Sequence, residues 1–205
     1  MPDANHSCAR ERYLALTARA NETPEDFWAE QAQRIAWFRP PQTILAWDEQ
    51  QHARWFIDGE MNICHAALDH HVANGRADQV ALYWDSPVTQ SKRQYTFREL
   101  RDEVALLAGA LRNLGVEKGD RVVLYMPMVA EAMMAMLACA RLGAVHSVVF
   151  GGFSPKELAV RIDDAAPKVI MAASCGVEVD RIIPYKPWLD EAIELAEHTP
   201  QACLI

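Results

Sequence analysis

With 205 residues, 51% of them apolar and 23% charged, the chain can bury a sizeable core and has an ordinary globular balance, which excludes a disordered or membrane-embedded protein. A formal net charge of −8, with Lys and Arg scattered rather than clustered, excludes a general affinity for nucleic acid or anionic lipid while leaving room for a local phosphate site. Cys8, Cys64, Cys139, Cys175 and Cys203 are far apart and form no CxxC pair, so reduced thiols in a cytoplasmic protein are expected rather than disulfides or a metal site.

The N-terminal stretch has no apolar core of the signal-peptide kind. Thr23-Pro24-Glu25-Asp26 combines a cap-type residue, Pro at the first helical position and acids in the first turn, which predicts a helix to about Ile35. Pro40-Pro41 breaks a region rich in Trp (Trp28, Trp37, Trp47, Trp55). A short strand is expected over residues 54–57, and Asn62 is expected to cap a helix through Ala73. This first part reads as a wrapping, mostly helical lead-in.

From Gln79 strands and helices alternate. Val80–Trp84 and Arg93–Tyr95 read as strands. Thr96-Phe97-Arg98-Glu99 is a capping box opening a helix to about Leu114, with Leu100, Val104, Leu107, Ala108 and Leu111 on one apolar face. Gly115 ends it, and Gly119-Asp120 turns into the strand Arg121–Tyr125. Pro127 is expected to start a helix ending at Gly143; its apolar part, Val129–Leu142, is shorter than the about 20 residues of a membrane span. The run Ala144–Phe150 reads as a strand buried on both faces, and Ser154-Pro155-Lys156-Glu157 as a second capping box opening a helix to about Ala165. The strand Lys168–Ala173 and a helix from Trp188 to Glu197 follow. This alternation predicts an α/β fold with a doubly wound, mostly parallel sheet.

Two places could carry chemistry. Phe150-Gly151-Gly152-Phe153-Ser154 joins a strand to a helix, and ligands in open α/β sheets bind beyond the carboxyl ends of strands, where helix N-termini favour anions. The alternative is a tight connection needing unusual backbone angles and holding no ligand. In Gly176-Val177-Glu178-Val179-Asp180-Arg181, Arg181 is either a bidentate phosphate donor or a solvated surface charge balanced by Glu178 and Asp180. No GxGxxG, Walker loop or GxSxG elbow occurs. His65, His70 and His71 read as a helical surface, His146 as a hydrogen-bonded core residue, and Met126, Met128, Met133, Met134 and Met136 as core filler.

Beyond these local readings, several segments resemble the AMP-forming acetyl- and propionyl-CoA synthetases of the adenylate-forming superfamily. They are Trp55-Phe56-Ile57-Asp58-Gly59-Glu60-Met61-Asn62, Tyr95–Leu100, Gly115–Val122, Tyr125–Ala132, Met136–Ala144 and His146–Ser154, in order along the chain. Ser174–Glu178 with Tyr185-Lys186-Pro187 is more similar to the propionyl-CoA branch. The resemblance implies residues 1–85 as the N-terminal region of that family and 86–205 as the start of its large domain, truncated before the Ser/Thr/Gly-rich ATP loop.

For the whole enzyme, the resemblance implies that a short-chain carboxylate (propionate or acetate) attacks the α-phosphorus of MgATP to give an acyl-adenylate and pyrophosphate. The thiol of CoA then displaces AMP. CoA and MgATP are substrates, and no bound cofactor, nucleic acid or membrane partner is expected. No catalytic residue or metal ligand of the family maps onto this segment, which is expected to be inactive alone. Only CoA contacts map: Phe150, Gly151 and Gly152 on the adenine end of CoA, and Arg181 on its phosphates, with Glu178 standing where an acetyl-CoA synthetase has another Arg. The alternative is a non-catalytic CoA-binding or interaction module.

Overall fold

The computed structural model describes residues 4–179 and 181–205. It divides into two compact units, Met1–Met61 and Asn62–Ile205.

The first unit holds helices α1 (Ala4–Glu22) and α2 (Pro24–Ala32) and an antiparallel pair, β1 (Leu45–Trp47) with β2 (Ala53–Trp55). α1, which no sequence signal marked, carries an almost wholly exposed row of side chains from residue 8 onward. α2 starts at Pro24 as expected and stops at Ala32, earlier than expected, because the Trp37 indole N–H donates to the Ala32 carbonyl at 2.7 Å. Trp28, Trp55, Phe56 and Trp37 pack edge-on or tilted with centroids 5.8–6.1 Å apart. The Asp58 carboxylate accepts the backbone N–H groups of Gln42 and Thr43, which hold its pKa below the usual value.

In the second unit Asn62 performs the capping expected of it, accepting the His65 N–H at 3.1 Å, while its amide also donates to the Ala140 carbonyl at 2.7 Å. The helix it opens contains a π-helical turn at His65–Asp69, and beyond Ala73 the backbone leaves helical angles at Asn74 (φ −100°) and Gly75 (φ 79°). β3 (Val80–Ser86) and β4 (Ser91–Thr96) form an antiparallel hairpin. Then come α3 (Phe97–Asn113), β5 (Arg121–Met126), α4 (Ala130–Leu142), β6 (Val145–Phe150), α5 (Pro155–Ala165), β7 (Val169–Ala172), β8 (Gly176–Val177), β9 (Ile182–Ile183), α6 (Tyr185–Leu195) and β10 (Ala202–Leu204).

The main sheet has the order β10-β7-β5-β6 with every pairing parallel. Alternate residues of β5 and β7 feed two cores. Val122, Leu124, Val169 and Met171 pack with the buried face of α3 and with α4, and Val123, Tyr125, Ile170 and Ala172 pack with α5 and α6. Central strands buried on both faces are what a doubly wound α/β sheet requires. Each fully buried Val or Leu of β5 contributes roughly 1.5–3 kcal/mol of burial free energy.

Several elements depart from expectation. Among the described residues β6 pairs with β5 alone, so it is an edge strand there, and Val148 is 56% exposed rather than covered on both faces. His146 is exposed with it and is no core histidine. α4 begins at Ala130, not Pro127, because the Met128 carbonyl is taken by the Trp84 indole N–H at 2.8 Å and Val129 stays extended. Met134 fills the core as expected, but Met128 is 94% exposed. Gly143 ends α4 in the left-handed region at φ 73°, which a side chain would strain. The second capping box does not form: Ser154 caps with backbone only, and the Glu157 carboxylate goes to Arg161 at 3.2 Å. α6 starts at Tyr185, three residues before the expected Trp188, on a Lys186 N–H bond to the Ser174 carbonyl at 3.1 Å.

Candidate functional site

The candidate site lies at the carboxyl ends of the parallel strands, where β6 gives way to α5 and β7 to the β8–β9 hairpin. Phe150, the last residue of β6, is 71% exposed and meets Phe153 edge-on at 5.7 Å. Arg161 lies over the other aromatic ring, 4.2 Å from the Phe153 centroid. The turn is closed by a Phe153 N–H bond to the Phe150 carbonyl at 3.1 Å.

Neither Gly151 nor Gly152 adopts a left-handed φ, so unusual backbone angles are not why glycine stands there. Space is the reason. A Cβ on Gly152 would come 2.6 Å from the Phe150 ring, and one on Gly151 would come 2.2 Å from the Tyr185 hydroxyl oxygen. The missing side chain of Gly151 is occupied by the protein's own Tyr185.

Glu178 and Arg181 are brought together at the tip of the hairpin. The Glu178 N–H donates to the Arg181 carbonyl at 2.9 Å, and the Arg181 Nε donates to the Glu178 carboxylate at 2.7 Å. Both side chains are largely exposed. Asp180, the other suggested counter-charge, lies outside the described residues. Arg181 and Glu178 line a cleft of about 630 Å³ with Val177, Val179 and Val88, the last from the loop between β3 and β4. On the other side of the sheet a largely apolar cleft of about 650 Å³ runs among Leu106, Leu107, Met126, Met134, Met171 and Leu204. Among the described residues, no three His, Cys, Asp or Glu side chains converge as metal ligands, and no helix is long and apolar enough to cross a membrane.

Sequence reasoning missed the two tyrosines under the turn. Tyr125, at the end of β5, is fully buried and donates its hydroxyl to the Phe153 carbonyl at 3.0 Å. Tyr185 stacks on it with ring centroids 4.8 Å apart, tilted by 34°. Burial pushes the Tyr125 phenol up to about 12, and raises that of Tyr185 as well. The available signal was Gly176, a second glycine one strand away, which presses on the same phenol: a Cβ there would lie 2.7 Å from the Tyr185 hydroxyl.

Two family models and several known proteins match this chain. Residues 13–67 match the acetyl-coenzyme A synthetase N-terminus, and residues 68–202 match the AMP-binding enzyme family. The chain is 58% identical over 193 residues to an uncharacterized protein of Pseudomonas aeruginosa, covering 94% of this chain and 31% of that protein. It is 46% identical over 193 residues to acyl-CoA synthetase short-chain family member 3, mitochondrial, of Homo sapiens, covering 94% of this chain and 28% of the relative. It is 49% identical over 187 residues to the propionate–CoA ligase of Escherichia coli, covering 91% of this chain and 30% of the ligase. The chain thus spans less than a third of the length of these relatives. With the larger match running from residue 68 through β5, β6 and β7, and both loops at their carboxyl edge, to the start of β10, the chain belongs to the AMP-binding enzyme family.

Proposed function

We propose that the chain supplies the scaffold and the CoA-facing edge of an AMP-forming short-chain acyl-CoA synthetase, with propionate or acetate as the acid. The supporting observation is the placement of Phe150, Gly151, Gly152 and Arg181 on two adjacent loops at the carboxyl edge of a sheet within the AMP-binding enzyme match. The relatives named for propionate and short-chain acids favour that substrate class. Residues 1–85 form the lead-in of this enzyme and residues 86–205 the start of its large domain. Unpaired cysteines favour a reducing, cytoplasmic setting, although the human relative is named mitochondrial.

In this reading a carboxylate, a poor electrophile, is activated by MgATP to acyl-AMP with release of pyrophosphate, and CoA thiolate displaces AMP, a good leaving group. This chain's own contribution is to bind and orient CoA. The exposed Phe150 ring offers an apolar face for the adenine, and Arg181 offers charge to the phosphates. Glu178 does not preclude that role. An exposed ion pair is worth at most about 1 kcal/mol, and Arg181 spends only its Nε on the carboxylate, leaving four donors for a phosphate.

Calorimetric titration of the chain with CoA tests this. Arg181→Ala is expected to weaken binding about tenfold through loss of a charge-assisted contact. Glu178→Gln is expected to tighten it about threefold at low ionic strength, with the difference disappearing in high salt. Binding unchanged by Arg181→Ala would remove that residue from the site. Carboxylate-dependent ATP–pyrophosphate exchange by these 205 residues alone would overturn the division of labour, since the acid-activating step is assigned outside them.

A further inference from the structure

Tyr185 is the first residue of α6, yet its ring is 4% exposed and lies beneath the candidate site. Two glycines from different loops flank the hydroxyl end of that ring. A Cβ on Gly151 would sit 2.2 Å from Oη, 2.6 Å from Cζ and 2.9 Å from Cε2. A Cβ on Gly176 would sit 2.7 Å from Oη, 2.8 Å from Cζ and 3.2 Å from Cε1, on the opposite ring edge. The turn after β6 and the root of the β8–β9 hairpin therefore close on one phenol from two sides. The rest of the joint is equally fixed. Tyr125 stacks on Tyr185 and donates to the Phe153 carbonyl, holding the far end of the turn. Gly176 pairs with Ile183, which is buried.

We infer that Tyr185 is a positioning residue that sets the spacing between the Phe150–Phe153 turn and the hairpin carrying Glu178 and Arg181, so that one ligand engages both. This rests on the CoA reading proposed above, in which the nucleotide end of CoA lies on Phe150 while a phosphate meets Arg181. Both groups are surface-exposed and stand on short loops, so without a shared anchor each loop would have to be ordered separately on binding. A buried aromatic wedge orders them in advance, which lowers the entropic cost of capture. Glycine at both positions is the steric condition for that wedge, since any side chain would drive the ring out.

The test pairs a ligand-free readout with a CoA titration. In amide hydrogen exchange, Tyr185→Leu is expected to speed the Phe153 and Glu178 amides together by about tenfold while the Leu124 amide in β5 is unchanged. Tyr185→Phe, which keeps the ring, is expected to stay near wild type in both measurements, and Tyr185→Leu to lose about tenfold in CoA affinity. Loosening of one amide only, or of neither, overturns the joint. Paired loosening with CoA affinity unchanged overturns the positioning role and leaves packing alone. If the wild-type chain gives no heat with CoA, the CoA reading falls, and the exchange pair by itself still supports or overturns the joint. Should Tyr185→Leu not fold, Gly176→Ala carries the same paired expectation, because its Cβ would press on the hydroxyl at 2.7 Å.

Discussion

Gly143 and Gly151 both lack a side chain for steric reasons, but the obstacle differs. At Gly143 it is the residue's own backbone, held at φ 73°, and at Gly151 it is the hydroxyl of Tyr185. A helix followed by Gly-Ala and a new strand makes the first legible from sequence, because the chemistry is local. The second depends on a residue far along the chain, so the Gly-Gly pair reads equally well as a strained turn or a ligand cradle. The tyrosine beneath it yields a residue-scale prediction. Tyr125 has its phenol pushed up to about 12 by burial, with the Tyr185 phenol beside it, against about 10 in an unfolded chain. A folded pKa above the unfolded one means that the native state holds its proton when the unfolded state has released it. Stability therefore falls as pH rises above about 10 and goes on falling to about 12. Urea titrations across that range are expected to show the decline in wild type and a shallower one in Tyr125→Phe, the remainder belonging to the other buried groups raised by burial, Tyr185, Cys64 and Cys139. That variant should also lose about 1 kcal/mol at neutral pH from the Phe153 hydrogen bond. A flat alkaline limb in wild type would contradict the assignment.

At the scale of elements, two similar tetrapeptides diverge. Thr96 accepts the Glu99 N–H at 3.2 Å and Glu99 accepts the Thr96 N–H at 2.8 Å, whereas Ser154 makes no side-chain cap. Glu99 is free to turn back, while Glu157 is held by Arg161 one turn further on. Thr96→Ala is expected to cost about 1 kcal/mol in urea denaturation, and Ser154→Ala less than about 0.5 kcal/mol. Equal losses would show that motif spelling, not the hydrogen bond, sets the contribution. The same contrast explains what was legible. α3 and β5 could be placed from their apolar spacing and caps. The edge position of β6 could not, because an apolar run reports that a strand is favoured and not how many neighbours cover it. α1 and β1 carried no readable pattern at all, the first having little apolar periodicity and the second only three residues.

At the scale of the molecule, the sheet separates two cores, and this partitions the thiols. Cys64 and Cys139 are fully buried in the core beneath α3 and α4, and burial pushes the Cys139 thiol up to about 11 and raises Cys64 too. Cys8 is exposed. An alkylating reagent near neutral pH is expected to label Cys8 at once and to reach Cys64 and Cys139 only at the rate of global unfolding. Native-state labelling of Cys139 as fast as Cys8 would mean that the α4 layer opens by itself. By itself the sequence determined the α/β class, the order of strands and helices from β3 to α6 apart from the β8–β9 hairpin, the family resemblance and the residues worth testing, because caps, periodicity and motif spelling are short-range properties. Only the tertiary structure decided that β6 is an edge strand among the described residues and that Tyr185 fills the space Gly151 and Gly176 leave. Those outcomes depend on which distant segments meet when the sheet closes its layers, and no local pattern encodes that meeting.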